Sequence, residues 1–251
     1  VYIYEPSVSR IGAIVLIQEI FGVNDHIKSI AEKFAKEGFI TWVPDLFYRI
    51  EDNVNLNYSS KDIEKGKELK EKSGWELPTM DIISCIANLK VDYNVATVGF
   101  CYGGTLSWNV ACSAYGLDAS VCFYGSQITN FLEKQPRCPT LVHLGEQDDS
   151  INEDDQNKII NFSKQATTDI EVYKYKNADH GFFCDQRNSY HEESAGLAYN
   201  RTLDFLKKLL KLNYRRIYMT YTSANNITKL LVFITFTFII TIFTHTQQVQ
   251  V

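Results

Sequence analysis

Val95-Ala96-Thr97-Val98-Gly99-Phe100-Cys101-Tyr102-Gly103-Gly104 decides the reading of this chain. Val95–Phe100 is a short apolar run, as expected of a strand buried on both faces of a sheet. Gly99-Phe100-Cys101-Tyr102-Gly103 then fits G-x-C-x-G, and a helix is predicted from about Gly104 to Tyr115. Glycines two residues either side of Cys101 let a strand-to-helix turn close without Cβ clashes. The cysteine side chain then projects above the sheet, and the positive end of the following helix favours its thiolate. A small buried cysteine in a glycine-rich turn is the alternative on this motif alone.

The same alternation of strands and helices extends in both directions. Upstream, Ile11–Ile17 is a continuous apolar run and Phe39–Val43 a second strand stopped by Pro44. Between them, residues 26–37 place Ile27, Ile30, Ala31, Phe34 and Ala35 on one helical face. Residues 50–76 are polar, with a short helix predicted near Lys61–Lys72, and Pro78–Lys90 forms the next helix. Downstream, strands are predicted at Ala119–Tyr124, Thr140–Gly145 and Glu171–Tyr175, with helices at Glu153–Lys164 and Glu192–Leu210. This pattern specifies an α/β fold: a mostly parallel sheet with helices on both faces.

Two later positions give Cys101 partners. Asp148 follows the strand Thr140–Gly145, and His180 follows Glu171–Tyr175. Nucleophile, acid, histidine is the chain order of α/β-hydrolase triads. Each lies past the carboxyl end of a strand, where open α/β sheets build their sites. The acid would orient the imidazole, and the imidazole would pair with the thiol. Asp149 and Asp179 are expected to be loop acids in solvent. His26, His143 and His191 are expected to be surface or structural residues.

These residues, with Gln18-Glu19-Ile20-Phe21-Gly22, Pro44-Asp45-Leu46-Phe47 and Asp179-His180-Gly181-Phe182, resemble the dienelactone hydrolase (carboxymethylenebutenolidase) family. The resemblance runs from about Tyr2 to Lys211, with the family's first strand expected to be cut short at Val1. It implies an α/β-hydrolase fold with Cys101 as nucleophile, Asp148 as acid and His180 as base. It further implies that Glu19 contacts the resting thiol and helps deprotonate it when substrate arrives. The backbone N–H groups of Ile20 and Tyr102 would form the oxyanion hole. Arg49 matches the first of the family's two carboxylate-binding arginines, and Tyr124 is the other expected substrate-binding residue. The second arginine would fall where this chain has Cys184, and Arg187 stands three residues further on.

The expected activity is cysteine-dependent hydrolysis of a small ester or lactone, with an anionic substrate, through an acyl-enzyme. A thioesterase or peptidase on the same triad, or a non-catalytic binding protein of this fold, are the alternatives. Composition bounds the rest. The 251 residues are 45% hydrophobic with a formal charge of -5, so no broad basic surface for nucleic acid is present. No nucleotide-binding glycine loop or metal-ligand spacing stands in the sequence, and no cofactor or metal is expected. Six scattered cysteines without C-x-x-C, and no visible signal peptide, lead to the expectation of a reducing, cytoplasmic location and a monomer.

A composition break divides residues 1–211 from 212–251. The first part carries all 30 acidic residues; the second carries none. Leu230–Phe243 in the tail lacks charge, but as a helix it would rise about 21 Å against a hydrocarbon core of ~30 Å. A C-terminal membrane anchor through residues 230–243 is therefore the less favoured expectation. A β-prone segment, or an extension never selected as protein, are the others.

Overall fold

The computed structural model describes residues 1–211. The tail, and with it the question of an anchor, lies outside the described residues. Among them, no helix is long and apolar enough to cross a membrane.

Alternation of side chains along the central strands builds two cores from one sequence run. In β2 (Gly12–Ile17) every residue is buried. Ala13, Val15 and Ile17 join one apolar cluster, and Ile14 and Leu16 the other. The period of two sends neighbours to opposite faces of the sheet, so both faces must be covered. Helices α1 (Asp25–Lys36) and α6 (Glu192–Leu210) cover one face with Phe34 and Leu206. On the other face, α3 (Glu76–Leu89) contributes Ile82 and Ile86, and α4 (Tyr102–Ser113) contributes Leu106 and Val110.

Seven strands make one sheet. In chain order they are β1 (Tyr2–Tyr4), β2, β3 (Phe39–Val43), β4 (Val95–Phe100), β5 (Ala119–Phe123), β6 (Thr140–Gly145) and β7 (Ile170–Tyr175). Their spatial order is β1-β3-β2-β4-β5-β6-β7. All neighbours are parallel except β1, which pairs antiparallel with β3 at the edge. This is the α/β-hydrolase arrangement expected. The β1 strand has only three residues and none is buried, so it carries no apolar run for a sequence reading to find. The polar excursion holds α2 (Ser60–Ser73), close to the predicted span, and α5 (Glu153–Gln165) follows β6. Chain order reverses between β2 and its two neighbours, β3 and β4, so the loops after β2 and β4 open at one end of the sheet.

The predicted start of α4 at Gly104 is two residues late. The helix begins at Tyr102, so both glycines lie inside its first turn. A Cβ on Gly99 would stand 1.9 Å from the Gly103 carbonyl oxygen. Those glycines serve close backbone approach, which outweighs their low helix propensity.

Of the three histidines expected to be structural or superficial, two are interior. His143, mid-strand in β6, is fully buried between the Tyr175 hydroxyl (2.8 Å from Nδ1) and the Thr202 hydroxyl (3.0 Å from Nε2). Burial lowers its pKa from the ordinary 6.5 to about 3. The native state thus keeps His143 neutral while the unfolded chain takes up a proton below about 6.5. Stability is full above that value and is lost as pH falls toward 3, with a limiting slope of ~1.4 kcal/mol per pH unit. Urea unfolding of wild type and His143→Gln at pH 7, 5.5 and 4.5 tests this. Wild type is expected to lose about 1 kcal/mol per pH unit more than the variant over that span. Parallel losses would show that His143 is not the acid-labile group.

Candidate active site

Cys101 occupies the sharp turn between β4 and α4 with φ 54° and ψ −111°, a backbone conformation that costs a non-glycine residue about 1–3 kcal/mol. Two bonds hold the turn. The Cys101 amide donates to the Phe123 carbonyl at 3.0 Å, and its own carbonyl accepts from Thr105 at 3.1 Å. The thiol is the one partly exposed cysteine; the other five are buried.

The acid and histidine converge as the chain order implies. Asp148 Oδ2 lies 2.9 Å from His180 Nδ1. Its other oxygen accepts the amides of Ser150 at 2.8 Å and Ile151 at 3.2 Å. With Nδ1 bound to the carboxylate, Nε2 is the nitrogen left for the thiol. Burial works against a charged imidazole, yet the adjoining Cys101 and Asp148 outweigh it and raise the His180 pKa to about 10. Asp148 is buried, whereas Asp149 and Asp179 are exposed, as expected of loop acids.

The oxyanion-hole candidates lie just past the ends of β2 and β4. Tyr102 is the first residue of α4, where an amide has no intrahelical acceptor. Ile20 follows β2 and is buried. Tyr124 ends the neighbouring strand with φ 36°, and its ring stands edge-on to His180 with centroids 5.1 Å apart. Its hydroxyl is buried without a hydrogen-bond partner.

Glu19 differs from what the family resemblance implies. It is fully buried, but neither carboxylate oxygen makes a hydrogen bond, so it does not hold the thiol. Its Oε1 faces Arg187 Nη1 at 3.6 Å instead. The thiol is turned to the imidazole, and the nearest cation claims the carboxylate.

Arg49 also departs from its expected place. Asp81 grips it through both terminal nitrogens, with Nη2 2.7 Å from Oδ1. That pair sits beside a hollow of ≈ 500 Å³ lined by Tyr2, Pro44, Asp45, Tyr48 and Asp81, which contains no triad residue. Arg187 is the arginine brought to the site. It lies over Gly181 (φ +76°), where a Cβ would be 2.3 Å from its Nη1, so the residue after His180 must be glycine for the guanidinium to fit. Burial opposes its charge, but Glu19, Tyr124 and Cys101 outweigh it and raise its pKa. It lines a cleft of ≈ 510 Å³ with Phe21, Tyr58, Ile63, Asp179 and Ser189, which also contains no triad residue but borders His180 through Asp179.

Two features are absent from the sequence reading. Lys70, on α2, is half-buried, bonds Gln127 and feels the charge of Cys101; burial lowers its pKa. Its place in a polar, lysine-rich helix hid it. Glu19, His26 and Cys184 bring a carboxylate oxygen, a ring nitrogen and a sulfur within 4.8 Å of one another, all buried. Three separate segments supply them, so no ligand spacing shows in the sequence.

Comparison with known proteins agrees with this geometry. The sequence profile described as "Dienelactone hydrolase family" matches residues 1–210. A carboxymethylenebutenolidase-named protein of Synechocystis is 31% identical over 227 residues, covering 84% of this chain and 92% of its own. The carboxymethylenebutenolidase of Pseudomonas putida is 29% identical over 211 residues, covering 81% and 89%. Among solved structures, a dienelactone-hydrolase-named protein of Klebsiella pneumoniae superposes with a TM-score of 0.66 at 25% identity, covering 80% of this chain and 89% of that one. With the profile spanning nearly all the described residues and the fold shared, the chain belongs to the dienelactone hydrolase family.

Proposed function

We propose that this protein hydrolyses a small ester or lactone carrying an anionic group, through an acyl-enzyme on Cys101. The observation that carries the reading is the aligned carboxylate and imidazole beside the thiol, with His180 Nδ1 2.9 Å from Asp148. His180 holds the proton taken from Cys101, so the sulfur attacks the carbonyl as a thiolate. The amides of Ile20 and Tyr102 receive the developing oxyanion. His180 then protonates the leaving oxygen and, in the second half, takes a proton from water. Four other residues keep supporting roles: Asp148 orients, Arg187 replaces Arg49 as anion partner, and Tyr124 and Lys70 wall the thiol.

Glu19 enters through Arg187. A substrate carboxylate competing for that guanidinium would free Glu19 to approach the thiol, where its charge assists transfer of the Cys101 proton to His180. Single-turnover acylation of Glu19→Gln is expected to be slower by ~10²–10⁴-fold, the range of general-base catalysis. A rate within about threefold of wild type would leave activation to His180 alone.

Arg187 is expected to set anion recognition. Arg187→Lys should raise KM for an anionic ester about 10-fold or more, from the ~1.5–3 kcal/mol of a charged hydrogen bond, while a neutral ester changes little. Arg49→Ala, already engaged by Asp81, should leave both KM values alone. The reverse pattern would restore Arg49 to the site.

Cys101 should be the first thiol alkylated by iodoacetamide at neutral pH. Burial pushes Cys85 and Cys184 up to about 11, and Cys112, Cys122 and Cys138 up to about 12. Mass mapping that found Cys184 labelled equally fast would contradict the assignment, and loss of ester hydrolysis on labelling is expected to track Cys101 alone.

A further inference from the structure

The cluster of Glu19, His26 and Cys184 holds more polar capacity than the protein uses. Glu19 is wholly buried and His26 is 1% exposed, yet both carboxylate oxygens and both ring nitrogens have no hydrogen-bond partner. Buried polar groups are nearly always satisfied, and each orphan costs about 1–3 kcal/mol. Cys184 is equally buried, its thiol donating to the Tyr58 hydroxyl at 3.2 Å. One carboxylate oxygen and one ring nitrogen, both without a hydrogen-bond partner, lie within 4.8 Å of the Cys184 sulfur and of each other, a grouping that calls for a common partner.

We propose that Glu19, His26 and Cys184 bind a divalent cation of zinc type. Carboxylate, imidazole and thiolate together suit a borderline-soft metal rather than Mg²⁺ or Ca²⁺, which take oxygen ligands. Ligand atoms around tetrahedral zinc stand about 3.3–3.8 Å apart, given bonds of ~2.0–2.3 Å. The cluster, within 4.8 Å, reaches that by rotation of one carboxylate and a small inward shift of the thiol. A bond through Nε2 of His26 leaves Nδ1 facing Asp185 at 3.8 Å, the carboxylate–histidine pairing that orients metal ligands. Arg187 Nη1 approaches Glu19 at Oε1, 3.6 Å away, and Oε2, buried without a hydrogen-bond partner, is the oxygen offered to the ion.

Charge balance supports the assignment. The buried thiol of Cys184 must lose its proton to the solvent on binding. Thiolate and carboxylate then neutralise the two charges of the metal, and His26 binds as the neutral ring that burial already favours. The ion would hold Glu19 in place. Resting on the reading of Glu19 given under Proposed function, an occupied site would therefore slow acylation, making the metal an inhibitor rather than a participant.

Titration of the metal-free, reduced full-length protein with Co²⁺ tests the site without reference to activity. We expect one equivalent to bind with a thiolate-to-cobalt charge-transfer band, retained in Cys101→Ala and lost in Cys184→Ser and His26→Gln. Circular dichroism checks the fold of each variant, and Cys184→Ser alone suffices where His26→Gln does not fold. A band lost in Cys101→Ala but kept in Cys184→Ser would place the metal on the triad and overturn the proposal, as would no band at all. Displacement of cobalt by Zn²⁺ with hydrolysis unchanged would uphold the site and remove Glu19 from acylation.

Discussion

The turn at Cys101 is the constraint around which the rest of the site is arranged. A non-glycine residue at φ 54° and ψ −111° is held there by packing on all sides. The β4 and α4 backbones nearly touch at Gly99 and Gly103, and the Phe123 carbonyl fixes the Cys101 amide. That geometry lifts the sulfur above the sheet edge and aligns the first amides of α4 behind it. The loops after β2, β6 and β7 only need to reach one point, and the parallel sheet aims all of them at the same end.

A second constraint is electrostatic. Glu19 and Arg187 are both taken largely out of water, and neither is tolerable alone. Their 3.6 Å separation is loose for an ion pair, so it leaves capacity on each side. Arg187 can accept an anion from the cleft, and Glu19 retains an oxygen without a partner. A site built from a half-satisfied pair responds to ligands, because any new charge redistributes the old ones. His180 shows the opposite case: Asp148 and Cys101 satisfy it from both sides, which holds the ring in one orientation.

Arg49 and Arg187 end in different surroundings from those that sequence position alone suggests. The position four residues after His180 holds Cys184, buried and bonded to Tyr58. Three residues later the chain turns back, and Arg187 returns over Gly181 to face Glu19. Meanwhile Arg49 satisfies Asp81 at the surface of α3.

The sequence by itself determined the sheet, its covering helices and the chain order of the candidate triad. Continuous apolar runs report strands buried on both faces, and strand ends in α/β proteins are where catalytic side chains gather. Cys101, Asp148 and His180 were therefore legible from local pattern and chain order. The three-residue β1 was not, because an exposed edge strand has no apolar period to read. Tertiary structure alone decided which arginine serves the cleft, which cation lies by the thiol, and that Glu19, His26 and Cys184 share an interior point. Those are long-range relations: Glu19 and Arg187 meet because two loops cross above the sheet, and the spacing of residues along a chain carries no information about where separate loops cross.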